Sequence, residues 1–336
     1  MALTSIGDLA SSFSVRLRQA DLKENLTRLG AEITEGRVSD PVKRLDGNLA
    51  YLSQIEHDLI LAESFGTNVK EVAASAAAMQ SILTRAGELS ENMVSSLAIT
   101  ADGKGAADVD VSASQARGAL ESLVSALNTD VAGRHLLSGT SVETPPLAAS
   151  DTILSELKSA LGGATGPADV IALTESFFRS PGGSFETMIY RGSSQALTPI
   201  RLGAGESADL DLRANHPALR DTIMYTALAA LADDPDLSLD RTGRRQLLGE
   251  SLNGLATART GQIALQADLG VTEARTERAR ARLETEKTTL GLARNELLAV
   301  DRFKVATEIE DVQTQLETLY AVTARNTRLS LVNFLS

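Results

Sequence analysis

The sequence predicts a mainly α-helical protein. Its N- and C-terminal segments form a long helical bundle or rod, and a small mixed α/β or β-rich domain is inserted between them. Apolar residues recur at helical spacing over long stretches of both halves of the chain. Aromatic residues make up only 3% and Trp is absent, so the core consists of small and aliphatic side chains, which suit closely packed helices. Glycine-rich turns and alternating patterns are confined to a central stretch.

The N-terminal helix carries two apolar stripes, separated by a shift of register. The second stripe has spacings of four, three and four residues, which is the coiled-coil period. The stripes consist of Ile6, Leu9 and Phe13, then of Leu22, Leu26, Leu29 and Ile33. Gly36 and the Ser39-Asp40-Pro41 run then end the pattern, because proline disfavours helix at the residue before it. A second helix is predicted to begin near Pro41.

That second helix is predicted over residues 41–99, with Gly66 as its weakest point. A helical pattern well beyond about 25 residues is typical of a rod or bundle. Turn residues at 102–105 end it, and a shorter helix follows at about 108–129.

The central stretch has a different texture. Short helices are predicted at about 151–161 and 167–177, separated by a glycine-rich loop. Strands are predicted at 185–190, 197–202 and 207–212, with glycine turns between them. Residues 141–214 are therefore expected to form the inserted domain.

Helix returns at Pro217, and a last long helical region runs from about Asp240 to the end of the chain. An apolar seam at coiled-coil spacing lies near its end, made of Val305, Ile309, Val312, Leu316 and Leu319. The final residues are also rich in large apolar side chains, namely Leu329, Leu331, Val332, Phe334 and Leu335. Chain ends tend to fray, so an apolar end favours burial against a partner.

These patterns predict three parts. Residues 1–40 and 303–336 are terminal coiled-coil assembly segments, expected to be disordered in the monomer and to fold on assembly. Residues 41–140 and 215–302 form the helical rod, and residues 141–214 form the insert. Unpartnered apolar stripes favour disorder or aggregation in a monomer.

Composition argues against several classes of function. A net charge of −12 disfavours a nucleic-acid backbone as a partner. Cysteine is absent, the three histidines lie far apart, and no nucleophile, base and orienting group fall into a recognisable pattern. We therefore expect no enzyme activity, no cofactor and no metal. No membrane-spanning apolar run and no cleaved signal are predicted.

Several motifs resemble the flagellin superfamily, and within it the hook–filament junction proteins. The Gly36-Arg37-Val38-Ser39-Asp40-Pro41 segment resembles the family's Gly-Lys/Arg … Ser-Asp-Asp-Pro, shortened by one Asp. Residues 133–140 (GRHLLSGT) resemble the stretch with which junction proteins leave their helical domain, and Glu143-Thr144-Pro145-Pro146 follows as an acidic–Pro segment. Tyr190-Arg191-Gly192 opening a small insert is similar too. The ending at residues 330–335 (SLVNFL) closely resembles the family's ending.

The resemblance implies a structural protein of the bacterial flagellum. It would leave the cell through the flagellar type III apparatus without a cleaved signal. It would form a short ring between a first hook-associated junction protein and flagellin. A cytoplasmic export chaperone would bind its C-terminal helix before export, and the apolar residues of the terminal stripes would be the assembly contacts.

Two alternatives remain open from the sequence. A flagellin, the filament subunit itself, has the same helical termini. A cytoplasmic coiled-coil interaction protein would instead keep its terminal helices folded in free solution and stay in the cell. Hydrogen exchange near Leu316 and Leu331 separates that alternative from an exported, assembling protein.

Overall fold

The computed structural model describes residues 6–101 and 109–335 and is mainly helical. The chain divides into two compact units: unit 1 comprises residues 1–63 and 284–336, and unit 2 comprises residues 64–283. Two long helices, α3 (Ala50–Ala101) and α8 (Arg241–Leu298), contribute residues to both units. The predicted turn at 102–105 lies outside the described residues.

Unit 1 contains α1 (Ile6–Glu35), α2 (Pro41–Arg44) and α9 (Arg302–Leu335), with the start of α3 and the end of α8. The prediction of one helix over 41–99 was wrong at its beginning. Asp46 and Gly47 adopt positive φ values of 50° and 79°, which helix residues do not adopt, so the chain turns between α2 and α3. Asp40 caps α2, its Oδ1 accepting from the Lys43 amide at 3.1 Å.

The last helical region is also divided. The structure interrupts it at residues 299–301, between α8 and α9, although the sequence there contains neither Gly nor Pro. Gly261 and Gly270, which the sequence offers as weak points of this region, lie inside α8 and do not interrupt it.

In unit 2, α4 (Val109–Leu127) packs against α7 (Pro217–Ala230). Arg117 of α4 joins the two, because its guanidinium donates to the Ala230 carbonyl at 2.8 Å and to both carboxylate oxygens of Asp233 at 2.7 and 2.8 Å. This hydrogen-bonded ion pair holds the pKa of Asp233 below its ordinary value, against the opposing effect of burial. The end of α7 is therefore tied to the middle of α4 by its own last carbonyl.

The central part of unit 2 contains α5 (Ser150–Ala160), α6 (Pro167–Arg179) and two small antiparallel sheets. The first pairs β1 (Asp130–Val131) with β2 (Arg134–His135), and the second pairs β3 (Ile200–Gly203) with β4 (Glu206–Ala208). A 3₁₀ turn (Pro235–Leu237) precedes α8. Both short helices lie where the sequence predicts them.

The strand predicted at 185–190 was wrong, since Phe185–Ile189 forms a π-helical turn. Phe185 is fully buried and its ring lies 5.3 Å from that of Phe178 on α6. Packing against that aromatic neighbour outweighs the strand propensity of the local sequence. Of the other two predictions, 197–202 overlaps β3, while 207–212 is strand only as far as Ala208.

The 133–140 segment owes its two glycines to backbone geometry. Ala132 and Gly133 have φ values of 53° and 78°, as a two-residue hairpin turn between β1 and β2 requires. Gly139 has φ 60°, and a Cβ there would lie 2.5 Å from the Gln195 carbonyl oxygen. Two backbone hydrogen bonds form where the segments approach. The Thr140 amide donates to the Gln195 carbonyl, and the Ser193 amide donates to the Ser138 carbonyl. The motif thus holds residues 138–140 against residues 193–195, which lie more than 50 positions further along the chain.

His216 is expected to make the stability of unit 2 depend on pH. Its Nδ1 accepts from the Ala218 amide at 3.3 Å and caps α7. Burial lowers the pKa of His216 below its ordinary 6.5; Asp211 and Asp268 oppose this, and Arg213 and Arg220 reinforce it. As the pH falls, His216 is protonated in the unfolded chain before it is protonated in the folded one. The contribution of neutral His216 to folding stability is therefore complete above pH 6.5 and is lost as the pH falls below it.

We expect His216→Asn, which caps without titrating, to weaken this pH dependence. The measurement is the melting temperature of wild type and variant at pH 8 and pH 5. The melting temperature of the wild type should fall further between pH 8 and pH 5 than that of the variant. Equal losses would show that His216 does not carry the effect.

Candidate assembly interface

Helices α1 and α9 lie side by side and antiparallel in unit 1. Their direction follows from two contacts at opposite ends: Gln19 Nε2 donates to the Tyr320 hydroxyl at 3.0 Å, and the Val300 amide donates to the Gly36 carbonyl at 3.3 Å. The two chain ends that the sequence singles out therefore pack against each other.

The apolar contact between these helices uses part of each predicted seam. Leu22 and Leu29 of α1 are buried, as are Val305 and Leu316 of α9. The remaining seam positions with described side chains are half-buried, namely Leu26, Ile33, Ile309, Val312 and Leu319. Two helices alone cover only one side of each stripe, so apolar surface stays available beside the contact.

Phe13 is not brought into this contact, since its side chain is 60% exposed. The side chains of the outermost predicted residues lie outside the described ones, although their backbone is helical; these are Ile6, Leu9, Leu329, Leu331, Val332, Phe334 and Leu335. Their role in assembly stays a prediction.

A groove of about 310 Å³ is lined by residues of both helices. Its apolar part is formed by Leu22, Leu319 and Val322, and its rim by Arg18 with polar residues of α9. The Gln19–Tyr320 hydrogen bond lies next to it in sequence and crosses from one helix to the other. The sequence reasoning missed this pair because Tyr320 is off the apolar period of α9.

At the other end of the pair, the chain segments after α1 and before α9 hold each other. Residues Arg37 and Ala299 form an antiparallel bridge, and the Val38 amide donates to the Leu298 carbonyl at 2.9 Å. Arg37 also donates to Asn295 Oδ1 at 2.7 Å. Sequence reasoning marked Gly36 as the end of α1 but had no signal for the partner of residues 37–38.

Glu32, in the last turn of α1, binds the chain segment that follows the helix. Its side chain is buried, and Oε1 accepts from Arg28 at 2.9 Å and from the Ser39 amide at 3.0 Å. Burial by itself would raise the pKa of Glu32, but these hydrogen bonds outweigh it and hold the pKa below its ordinary value. Glu32 therefore stays ionised at neutral pH and fixes the chain just beyond the helix.

The α1–α9 pair leaves half-buried and exposed apolar side chains beside its contact. Among the side chains that the structure describes, no three His, Asp or Glu residues group as a metal site. In the same part of the chain, no helix is long and apolar enough to cross a membrane.

Comparison with known proteins singles out this C-terminal helical region. Residues 252–335 match the bacterial flagellin C-terminal helical region. The match includes most of α8 and all of α9, the helix that pairs with α1. A search of curated proteins finds no match for the sequence.

Two solved structures share the fold. One is from Vibrio parahaemolyticus and is described as that of a flagellar hook-associated protein; it is 14% identical, with a TM-score of 0.52, over 77% of this chain and 98% of that one. The other is FlgL of Bacillus cereus, also 14% identical with a TM-score of 0.52, over 72% of this chain and 98% of that one. At this identity the likeness is one of fold. It agrees with the predicted mainly helical architecture.

Proposed function

We propose that this chain is a structural component of the bacterial flagellum, an adaptor at the hook–filament junction of the hook-associated protein 3 type. The observation that carries the proposal is the flagellin C-terminal region at residues 252–335, whose last helix pairs with α1. The two solved structures with this fold, one described as a flagellar hook-associated protein and the other as FlgL, support the same role. The motifs at 133–140 and 330–335 favour the junction type.

The distribution of exposed apolar side chains supports assembly through unit 1. Among the described side chains, sixteen large apolar ones are exposed, and ten of them belong to unit 1 although it is the smaller unit. These ten are Phe13, Leu17, Val42, Tyr51, Ile60, Leu61, Leu292, Phe303, Tyr320 and Val322. An excess of exposed apolar side chains in one unit favours partner binding through that unit. Each that becomes fully buried contributes about 1.5–3 kcal/mol before ordering costs.

The partners in this proposal follow from its position between hook and filament. The chain associates with further copies of itself in a ring, with the first hook-associated junction protein on one side and with flagellin on the other. Before export through the type III apparatus without a cleaved signal, a cytoplasmic chaperone holds α9. The terminal segments 1–40 and 303–336 fold fully only on assembly.

The function is tested by removing residues 329–336 in the native bacterium. We expect the truncated protein to keep unit 2 folded, as judged by its unfolding transition, yet to be missing from purified hook–filament preparations. Cells should shed filaments and lose swimming motility. A matched control replaces Gly163, in an exposed loop between α5 and α6, with Ser. Normal motility and filament retention in the truncated strain would overturn the proposal.

A flagellin is the second candidate, favoured by the family of the matched C-terminal region. The two candidates differ in self-assembly. A filament protein polymerises alone into long fibres when seeded, whereas a junction protein stops at a short ring. Electron microscopy of the purified protein after seeding with sheared filaments decides between them.

A further inference from the structure

The break between α8 and α9 occurs without a helix-breaking Gly or Pro. The residues around it, Leu297 to Phe303, read LLAVDRF and include neither Gly nor Pro. Other turns in unit 1 do carry such residues: Gly36 ends α1 with φ 70°, and Gly47 separates α2 from α3 with φ 79°. A sequence of this kind continues a helix readily, because its Leu, Ala and Arg residues favour helix.

At the break, backbone groups of the segment that follows α1 form the hydrogen bonds that a continuous helix would form within itself. In a continuous helix the Val300 amide would donate to the carbonyl of residue 296, and the Leu298 carbonyl would accept from residue 302. In the structure Val300 donates to Gly36 O at 3.3 Å, and Leu298 O accepts from the Val38 amide at 2.9 Å. Residues 36–38, which we call the strap, thus replace two helical hydrogen bonds one for one.

Asp301 makes the new helix start possible. Its Oδ1 accepts from the amides of Phe303 and Lys304 at 3.0 and 3.2 Å, and its carbonyl accepts the first α9 bond from Val305 at 2.9 Å. It therefore caps α9 when the helix is broken. In a continuous helix the same side chain would simply face outward, so the sequence supports both arrangements.

We propose that the strap is a conformational switch for the C-terminal helix. With residues 36–38 in place, α9 is separate from α8 and pairs with α1. When the strap is withdrawn, residues 299–301 become helical and join α8 and α9 into one continuous helix. The proposal rests on the hydrogen bonds at the break and is independent of the flagellar role.

The test measures the distance between two spin labels in the full-length chain, attached at the exposed positions Thr289 and Gln313. A continuous helix would separate these positions by about 36 Å along its axis. Val38→Pro removes the amide that donates to Leu298 and so releases the strap. The second variant, Val38→Pro/Val300→Pro, also removes the Val300 amide that donates to Gly36, and its proline at residue 300 disrupts a continuous helix there.

We expect Val38→Pro to shift the distance to a narrow peak near that of a continuous helix, while the double variant does not reach it. Carbon chemical shifts of ¹³C-labelled Val300 should move to helical values in Val38→Pro at the same time. An unchanged distance in Val38→Pro would overturn the proposal, and so would a broad distribution, which indicates a flexible joint. A long, narrow distance in both variants would overturn it as well, because proline cannot sit within that helix.

Discussion

Replacing Leu29 with Asp is expected to separate α1 from α9 and to abolish incorporation into the flagellum. Leu29 is only 2% exposed and lies in the contact between the helices. The change removes about 1.5–3 kcal/mol of apolar burial. It also places a carboxylate at a buried position, which costs several kcal/mol more unless the carboxylate stays protonated or reaches water. A single Gln19–Tyr320 hydrogen bond is too little to offset this loss.

Two measurements check the Leu29 prediction. The variant should be missing from purified hook–filament preparations, and swimming motility should disappear. Thr27→Asp is the matched control, because it adds the same charge at an exposed position on α1. The unfolding transition of unit 2 should be the same in all three proteins. Normal incorporation and motility in Leu29→Asp would show that the α1–α9 pair is not the assembly element.

The second large effect is expected at Gly254 of α8. A Cβ at this position would lie 2.3 Å from atoms of the Tyr225 ring, which is buried on α7. Tyr225 cannot move freely, since its hydroxyl accepts from Arg179 at 3.3 Å and Arg179 also donates to both carboxylate oxygens of Asp221. Gly254→Ala should therefore destabilise unit 2 by about 1–3 kcal/mol, the usual cost of overpacking.

Gly270→Ala supplies the control for Gly254→Ala. Gly270 is in the same helix, but nothing lies within 4 Å of its Cβ position. There the substitution should stabilise by roughly 0.5–1 kcal/mol, the ordinary gain of Ala over Gly inside a helix. Chemical denaturation of both variants should give opposite signs. Stabilisation by both would mean that the α7–α8 contact is looser than the structure has it.

The local spacing of apolar residues was enough to predict the terminal helices. The four- and three-residue spacings of α1 and α9 predict two helices with apolar stripes, and the structure places Leu22, Leu29 and Leu316 in their contact. Glycine chemistry was informative as well, since Gly36 and Gly133 lie where the backbone requires positive φ.

Features that depend on distant residues could not be predicted. The break at residues 299–301 arises from pairing with residues 36–38, more than 250 positions away, and the local sequence favours helix. The π-helical turn at Phe185 depends on the ring of Phe178, while its own sequence resembles a strand. Phe13 has the period of a seam residue, yet its side chain is 60% exposed.

The location of the protein in the intact flagellum tests the central claim most directly. An epitope inserted after Gly163, in the exposed loop between α5 and α6, allows immunogold labelling of isolated flagella by electron microscopy. The junction role predicts one cluster of gold particles on each flagellum, at the boundary of hook and filament. Labelling along the whole filament, or no labelling of intact flagella that carry the tagged protein as their sole copy, would contradict it.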